Sequence, residues 1–68
     1  MPKIREIIDV IRERRKLLDL TQEDLAQISG VSLRTLKAIE SGKGNQSLET
    51  IIKVLDTIGM TLRAEIKS

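Results

Sequence analysis

The feature that most constrains this chain is a pair of helix-start signals on either side of a glycine. Thr21 followed three residues later by Asp24 is a variant of the capping box that begins a helix. Gly30 stands where a left-handed residue would end that helix, and Ser32 is a good N-cap for the next one. The segment 21–41 therefore predicts two short helices joined by a tight turn.

The second helix of this pair, at about 33–41, carries basic residues on its outward side. Leu36 and Ile39 lie three apart and should point inward. This leaves four residues outward or on the flank, namely Leu33, Arg34, Lys37 and Ala38. A helix-turn-helix places its second helix in the major groove of DNA. The pattern therefore predicts double-stranded DNA as the partner.

Aliphatic residues at helical spacing predict two more helices and a shared core. The first helix is expected over about 3–18, with a buried stripe of Ile4, Ile7, Ile8, Ile11 and Leu18, widened by Val10 and Leu17. Its opposite face should be a solvated surface of mixed charge, comprising Arg5, Glu6, Asp9, Arg12, Glu13, Arg14 and Lys16. The second helix should bury Leu25, Ala26 and Ile28. A fourth helix, capped by Ser47 and ended by Gly59, should bury Leu48, Ile51, Ile52, Leu55 and Ile58.

After Gly59 the hydrophobic period changes from about 3.6 to 2, which is typical of a half-buried strand. The strand is expected at about 60–67, with one face formed by Met60, Leu62, Ala64 and Ile66. A lone strand cannot satisfy its own backbone groups, so it should pair antiparallel with the same strand of a second copy. The prediction is a homodimer of a mainly α, single domain spanning 1–68.

Composition limits the chemistry of the chain. Its 68 residues contain no cysteine, no histidine and no aromatic residue, so thiolate metal sites, imidazole catalysis and aromatic stacking on single strands are excluded. Hydrophobic content of 40% favours a folded domain, and a net charge of +2 permits nucleic-acid binding. We expect no enzyme activity, no metal and no cofactor. With no membrane-length apolar run and no signal-peptide pattern, we expect a cytoplasmic protein.

Three short motifs resemble the helix-turn-helix family of phage repressors and Cro proteins, also called the XRE family. They are LTQEDLA at 20–26, SGVS at 29–32 and IESGK at 39–43. The resemblance covers about Arg12 to Gly59 and implies a four-helix, lambda-repressor-like DNA-binding fold. With the C-terminal alternating segment added, the chain is most similar to HipB-type regulators, which act as antitoxins and dimerise partly through such strands.

The resemblance also assigns roles to individual residues. It implies base contacts by Ser32, Leu33, Arg34 and Lys37. It implies phosphate contacts by Thr21, Gln22, Ser41 and Lys43. It further implies a structural ion pair between Arg15 and Glu40. Leu33 departs from the polar residue common in the family, so it either touches a thymine methyl or packs at the helix edge.

Each assignment has a plainer alternative. Arg34 can bond bidentately to guanine, or it can clamp a phosphate or stay solvated, and Lys37 divides between base and phosphate. Ser32 is a helix cap before it is a DNA contact, and Lys43 in its glycine-flanked loop can simply be solvated. At the level of function, the leading hypothesis is a dimeric repressor that binds a palindromic operator. The alternatives are an antitoxin that neutralises a protein toxin and regulates itself secondarily, and an adaptor that uses the fold only as a scaffold.

Overall fold

The computed structural model describes residues 4–43 and 45–62, and these ranges contain four α-helices and no strand. The helices are α1 (Ile4–Leu17), α2 (Gln22–Ser29), α3 (Leu33–Ser41) and α4 (Leu48–Thr57). All four predicted helices are confirmed. Helix α2 packs against both α3 and α4, while α1 packs against α3.

Side-chain caps begin the last three helices. Hydroxyl oxygens of the N-cap residues accept the amide hydrogen of the residue three positions on, as predicted for Thr21, Ser32 and Ser47. Helix α2 begins with a complete capping box. The Asp24 N–H donates to Thr21 Oγ1 at 3.0 Å, and the Thr21 N–H donates to Asp24 Oδ2 at 2.9 Å. Each such cap stabilises its helix by about 1 kcal/mol.

Gly30 ends α2 in the left-handed conformation that its position predicted. Its φ is +74° and its N–H donates to the Ala26 carbonyl. A Cβ built at Gly30 would meet no atom within 4 Å, so crowding does not explain the glycine. The positive φ alone favours glycine here, and it turns the chain sharply between α2 and α3.

The core is aliphatic and draws on every helix. Its buried hydrophobic residues are Ile11, Leu25, Ala26, Leu36, Ile39, Ile51, Val54, Leu55 and Ile58. All but Val54 were expected from helical spacing. The α4 helix is therefore rotated about its axis relative to the predicted orientation. Its buried row consists of Ile51, Val54 and Leu55, continued by Ile58.

Several predicted core residues are instead on the surface. Ile28 on α2 and Leu48 and Ile52 on α4 are exposed, so these expectations were wrong. The outer residues of the α1 stripe, namely Ile4, Leu17 and Leu18, are exposed as well. A domain of this size buries only a narrow row on each helix, and aliphatic residues on the flanks of that row remain in solvent.

Arg14 corrects the expectation that the polar face of α1 is wholly solvated. Its side chain is half-buried, and its Nε donates to the Ile58 carbonyl oxygen at 3.0 Å. A cation near the last carbonyls of a helix satisfies an acceptor that the helix leaves free. Arg14 therefore ties the end of α4 to α1.

The predicted C-terminal strand is described only at its beginning. Residues 60–62 form neither helix nor strand, although Met60 packs against the core and its N–H donates to the Leu55 carbonyl at 2.8 Å. Ala64 and Ile66, the other members of the proposed strand face, lie outside the described residues.

Candidate nucleic-acid interface

Helix α3 has two faces with different chemistry. Leu36, Ile39 and Glu40 are buried and hold the helix against the rest of the domain. The opposite face carries Arg34, Lys37, Ala38 and Ser41, spaced i, i+3, i+4 and i+7. Arg34, Lys37 and Ser41 are exposed and Ala38 is half-buried. The structure thus places three of the predicted contact residues in one row.

Ala38 was not among the predicted contact residues, yet it lies between Arg34 and Ser41 in this row. Its methyl group is the smallest projection on the face, so a partner surface can approach the helix closely there. The helical spacing places Ala38 outward or on the flank, without assigning it a contact.

Ser32 and Leu33 stand at the N-terminal edge of the same helix. The Ser32 hydroxyl accepts the Thr35 N–H at 3.1 Å and donates to Thr35 Oγ1 at 2.9 Å, so it is engaged in the cap. Leu33 is half-buried and packs against the core. Of the two alternatives for Leu33, packing at the helix edge is the one observed in the free protein.

The charge around α3 is positive. Between Asp24 and Glu49 the charged residues are Arg34, Lys37, Glu40 and Lys43. The single acid among them, Glu40, is buried and paired with Arg15, whereas the three cations are exposed. This surface therefore presents cations with no acidic side chain of α3 to offset them, which favours an anionic partner.

The Arg15–Glu40 pair is present and bidentate. Arg15 Nε donates to Glu40 Oε2 at 2.8 Å and Nη2 donates to Oε1 at 3.0 Å. Arg15 Nη1 also donates to the Leu20 carbonyl at 2.9 Å, which fixes the α1–α2 connection. The side chains are 12% and 4% exposed, respectively. Burial makes the pair costly to break from one side.

Gln22, expected as a phosphate contact, is the first residue of α2 and is half-buried. Its Nε2 donates to Glu40 Oε1 at 3.2 Å, a contact that the sequence did not predict. The two residues are separated by 18 positions and meet only because α2 packs against α3. Gln22 is thereby held beside the end of the basic helix.

Ser41 and Lys43 lie at the exit of α3. The Ser41 hydroxyl donates to the Ala38 carbonyl at 3.0 Å, and the Lys43 N–H donates to the same carbonyl at 3.1 Å. Both side chains are exposed. Gly42 between them adopts φ +75°, which ends the helix and turns the chain.

Thr21 is the N-cap of α2, next to Gln22, and its capping box influences a titratable group. The Thr21 backbone N–H, and secondarily its side chain, lower the pKa of Asp24 below its ordinary value by hydrogen-bonding the carboxylate. Because the folded-state pKa is depressed, this contribution to stability is present above the unfolded-state pKa and is lost as pH falls through the folded pKa.

We expect Asp24→Asn to remove part of the acid-side pH dependence of stability. Wild-type stability should fall as pH drops below about 3.9, the usual aspartate pKa, while the variant should lack the Asp24 component of that fall. Urea unfolding between pH 2 and 7 gives the comparison, and an NMR titration of the Asp24 carboxyl carbon gives its pKa directly. Identical pH profiles for the two chains would contradict the expectation.

Neither a membrane span nor a metal cluster is found in the part of the chain that the structure describes. None of its helices combines the length and the apolar character needed to cross a bilayer. Across residues 4–43 and 45–62, no three carboxylates come together as metal ligands would.

A four-helix domain whose third helix projects a basic row beyond a tight glycine turn defines the helix-turn-helix class. The chain belongs to the helix-turn-helix family, whose model matches residues 11–64. The family resemblance drawn from the sequence is thereby confirmed, and the match includes α2, α3 and α4.

The curated relatives of the chain include HTH-type transcriptional regulators and a phage transcriptional repressor. The chain is similar to an uncharacterised HTH-type transcriptional regulator of Methanocaldococcus jannaschii, at 46% identity over 48 residues, covering 71% of this chain and 73% of the relative. A second uncharacterised HTH-type transcriptional regulator, from Methanothermobacter thermautotrophicus, is 42% identical over 50 residues, covering 74% and 72%. The cryptic phage CTXphi transcriptional repressor RstR of Vibrio cholerae is 30% identical over 57 residues, covering 84% of this chain and 51% of RstR.

Proposed function

We propose that this protein is a sequence-specific DNA-binding transcriptional regulator that acts as a dimeric repressor. The observation that carries the proposal is the outward row of α3, where Arg34 and Lys37 are exposed and the only acid of the helix is buried. Relatives described as transcriptional regulators, including a repressor, support the same function.

Base recognition is assigned to the start and middle of α3. Arg34 can donate two hydrogen bonds to guanine O6 and N7, and Lys37 one turn later can reach a base or the adjoining phosphate. Ala38, four residues after Arg34, can contact a thymine methyl group. Ser32 keeps its cap and meets DNA through its remaining acceptor capacity, while Leu33 offers an apolar edge at the rim of the contact.

Phosphate contacts are assigned to the start of α2 and the exit of α3. The first intrahelical bond of α2 runs from the Leu25 N–H to the Thr21 carbonyl, so the amides of Gln22 and Glu23 precede it and can bind a phosphate. Gln22 and Thr21 add side chains there, and Ser41 and Lys43 act at the exit of α3. Such contacts fix register without carrying sequence information.

Dimerisation is assigned to the C-terminal segment that begins at Met60. Two copies related by a two-fold axis would place their α3 helices in successive major grooves, about 34 Å apart. The proposed operator is therefore a palindrome with half-sites about one helical turn apart. HipB-type antitoxin activity toward a protein toxin is the alternative that this arrangement leaves open.

Selection from a random duplex library on the purified protein tests the proposal. An enriched two-fold motif with half-sites about one turn apart is the expected result. No enrichment at low or moderate salt would contradict sequence-specific binding and would redirect the search to a protein partner, with a toxin encoded beside this gene as the first candidate.

Substituting Arg34→Ala and Lys37→Ala together should weaken binding to the selected operator by about 100-fold, since each lost contact to a base costs on the order of 1–3 kcal/mol. Fluorescence anisotropy with labelled operator provides the measurement. The matched control is Arg12→Ala with Lys16→Ala, which removes two exposed cations of α1 and the same charge. Equal losses in the two double variants would show that affinity follows net charge and not this face.

Truncation of the C-terminal segment should weaken the dimer and with it the apparent DNA affinity. A chain ending at Gly59 tests the whole segment, and a chain ending at Leu62 keeps Met60 in its place on the core. Light scattering across a concentration series measures the oligomeric state. An unchanged dimer dissociation constant in both truncated chains would show that the C-terminal segment does not mediate dimerisation.

A further inference from the structure

One carboxylate joins three helices beside the proposed DNA surface. Glu40 at the end of α3 accepts hydrogen bonds from Arg15 of α1 and from Gln22 of α2. Oε1 takes two of them, from Arg15 Nη2 at 3.0 Å and Gln22 Nε2 at 3.2 Å. Because Glu40 is only 6% exposed, these protein donors satisfy a charge that water reaches poorly.

This contact restricts a side chain that would otherwise rotate freely. A glutamine at a helix start has three side-chain torsions, and its amide nitrogen carries two hydrogens. The bond to Glu40 uses one hydrogen and limits the positions that the amide can take. The second hydrogen stays available near the start of α2, and a hydrogen-bond donor is what a phosphate oxygen requires.

We propose that Glu40 is a positioning residue for DNA binding that acts through Gln22. Glu40 lies on the same helix as Arg34 and Lys37. Its bond to Gln22 therefore sets the distance between the proposed phosphate contact of α2 and the proposed base contacts of α3. Glu40 is therefore part of the recognition apparatus although it touches no DNA. This inference rests on the proposed function.

A purely structural role for Glu40 has to be separated from positioning. Removing Glu40 alone leaves Arg15 buried without its partner, which weakens the fold. Arg15→Met combined with Glu40→Met removes both charges together and replaces them with apolar side chains of similar length. This pair deletes the acceptor for Gln22 without leaving an uncompensated ion.

The DNA measurement is a double-mutant cycle on the selected operator. Gln22→Met should weaken binding about fivefold, the loss typical of one hydrogen bond, and the Arg15–Glu40 double variant should weaken it similarly. The triple variant should then lose about fivefold and not about 25-fold, because both changes abolish the same phosphate contact. A methylphosphonate at the contacted phosphate should weaken the wild type more than any of the three variants, which keep only the backbone amides of Gln22 and Glu23 at that phosphate.

A second measurement needs no DNA. In the wild type, the NMR signals of the Gln22 side-chain amide should be shifted from those of the exposed amides of Gln27 and Asn45. In the Arg15–Glu40 double variant they should move to the position of those exposed amides. An unchanged Gln22 signal, or multiplied losses in the cycle, would overturn the positioning role while the wild type still bound its operator. Absence of any operator binding by the wild type would instead overturn the proposed function, and this role with it.

Discussion

Glu40→Ala is expected to lower the free energy of unfolding by about 3–5 kcal/mol, the cost of leaving one partner of a buried ion pair uncompensated. Arg15 would keep its bond to the Leu20 carbonyl but lose both of its bonds to the carboxylate. Gln22 would lose its acceptor as well. Because the core of so small a domain rarely supplies more than about 3–5 kcal/mol, a large fraction of the variant should be unfolded near 37 °C.

Urea unfolding followed by circular dichroism measures this effect, since the chain has no aromatic residue to report by fluorescence. Glu49→Ala is the matched control, because it makes the same change at an exposed position of α4. We expect the control to stay within about 0.5 kcal/mol of the wild type. Similar midpoints for the two variants would mean that the buried pair contributes nothing to stability.

Leu36→Ala should cost about 2–5 kcal/mol, because the side chain is fully buried and its removal leaves a cavity. Leu36 lies on the inner face of α3, so the loss should loosen the helix that carries the proposed base contacts. Thermal unfolding should show the change as a fall in Tm of roughly 10 °C or more for a domain of this size.

The same substitution at Leu17 is the control for Leu36→Ala. Leu17 is 74% exposed, so its replacement by alanine should change stability by less than about 0.5 kcal/mol. Hydrogen exchange adds a local measurement, in which the α3 amides of the Leu36→Ala chain should exchange faster. A small effect at Leu36, equal to that at Leu17, would contradict the packing described for α3.

Local signals in the sequence predicted the helices well, because caps depend on neighbouring residues. Thr21, Ser32 and Ser47 each meet an amide three positions on, and Gly30 turns the chain at the predicted point. Such interactions join residues within one helical turn, so tertiary structure has little influence on them. They can therefore be recognised without knowledge of the fold.

The orientation of each helix was harder to predict. On α4, aliphatic residues occupy both the true core row, which includes Val54, and its flank, where Leu48 and Ile52 lie exposed. A rotation of the helix by some tens of degrees separates the two patterns, and packing against α2 and the rest of the core selects between them. Helical spacing alone cannot resolve a difference of that size.

The candidate site shows the same division between local and tertiary information. The outward placement of Arg34 and Lys37 follows from the spacing within α3. The Arg15–Glu40 pair came from the family resemblance, and the bond between Gln22 and Glu40 was not predicted at all. These contacts span 25 and 18 positions, so they exist only once three helices have packed together.

The two rows of α3 separate the residues that pack in the domain from the residues that face a partner, within a helix of nine residues. Leu36, Ile39 and Glu40 hold the helix in the domain, while Arg34, Lys37, Ala38 and Ser41 project from it, and no side chain belongs to both rows. Under the proposed function, mutations in the outer row would alter DNA preference at little cost in folding. In a lineage of duplicated regulators, the outer row is free to diverge under selection for new targets while the scaffold stays the same.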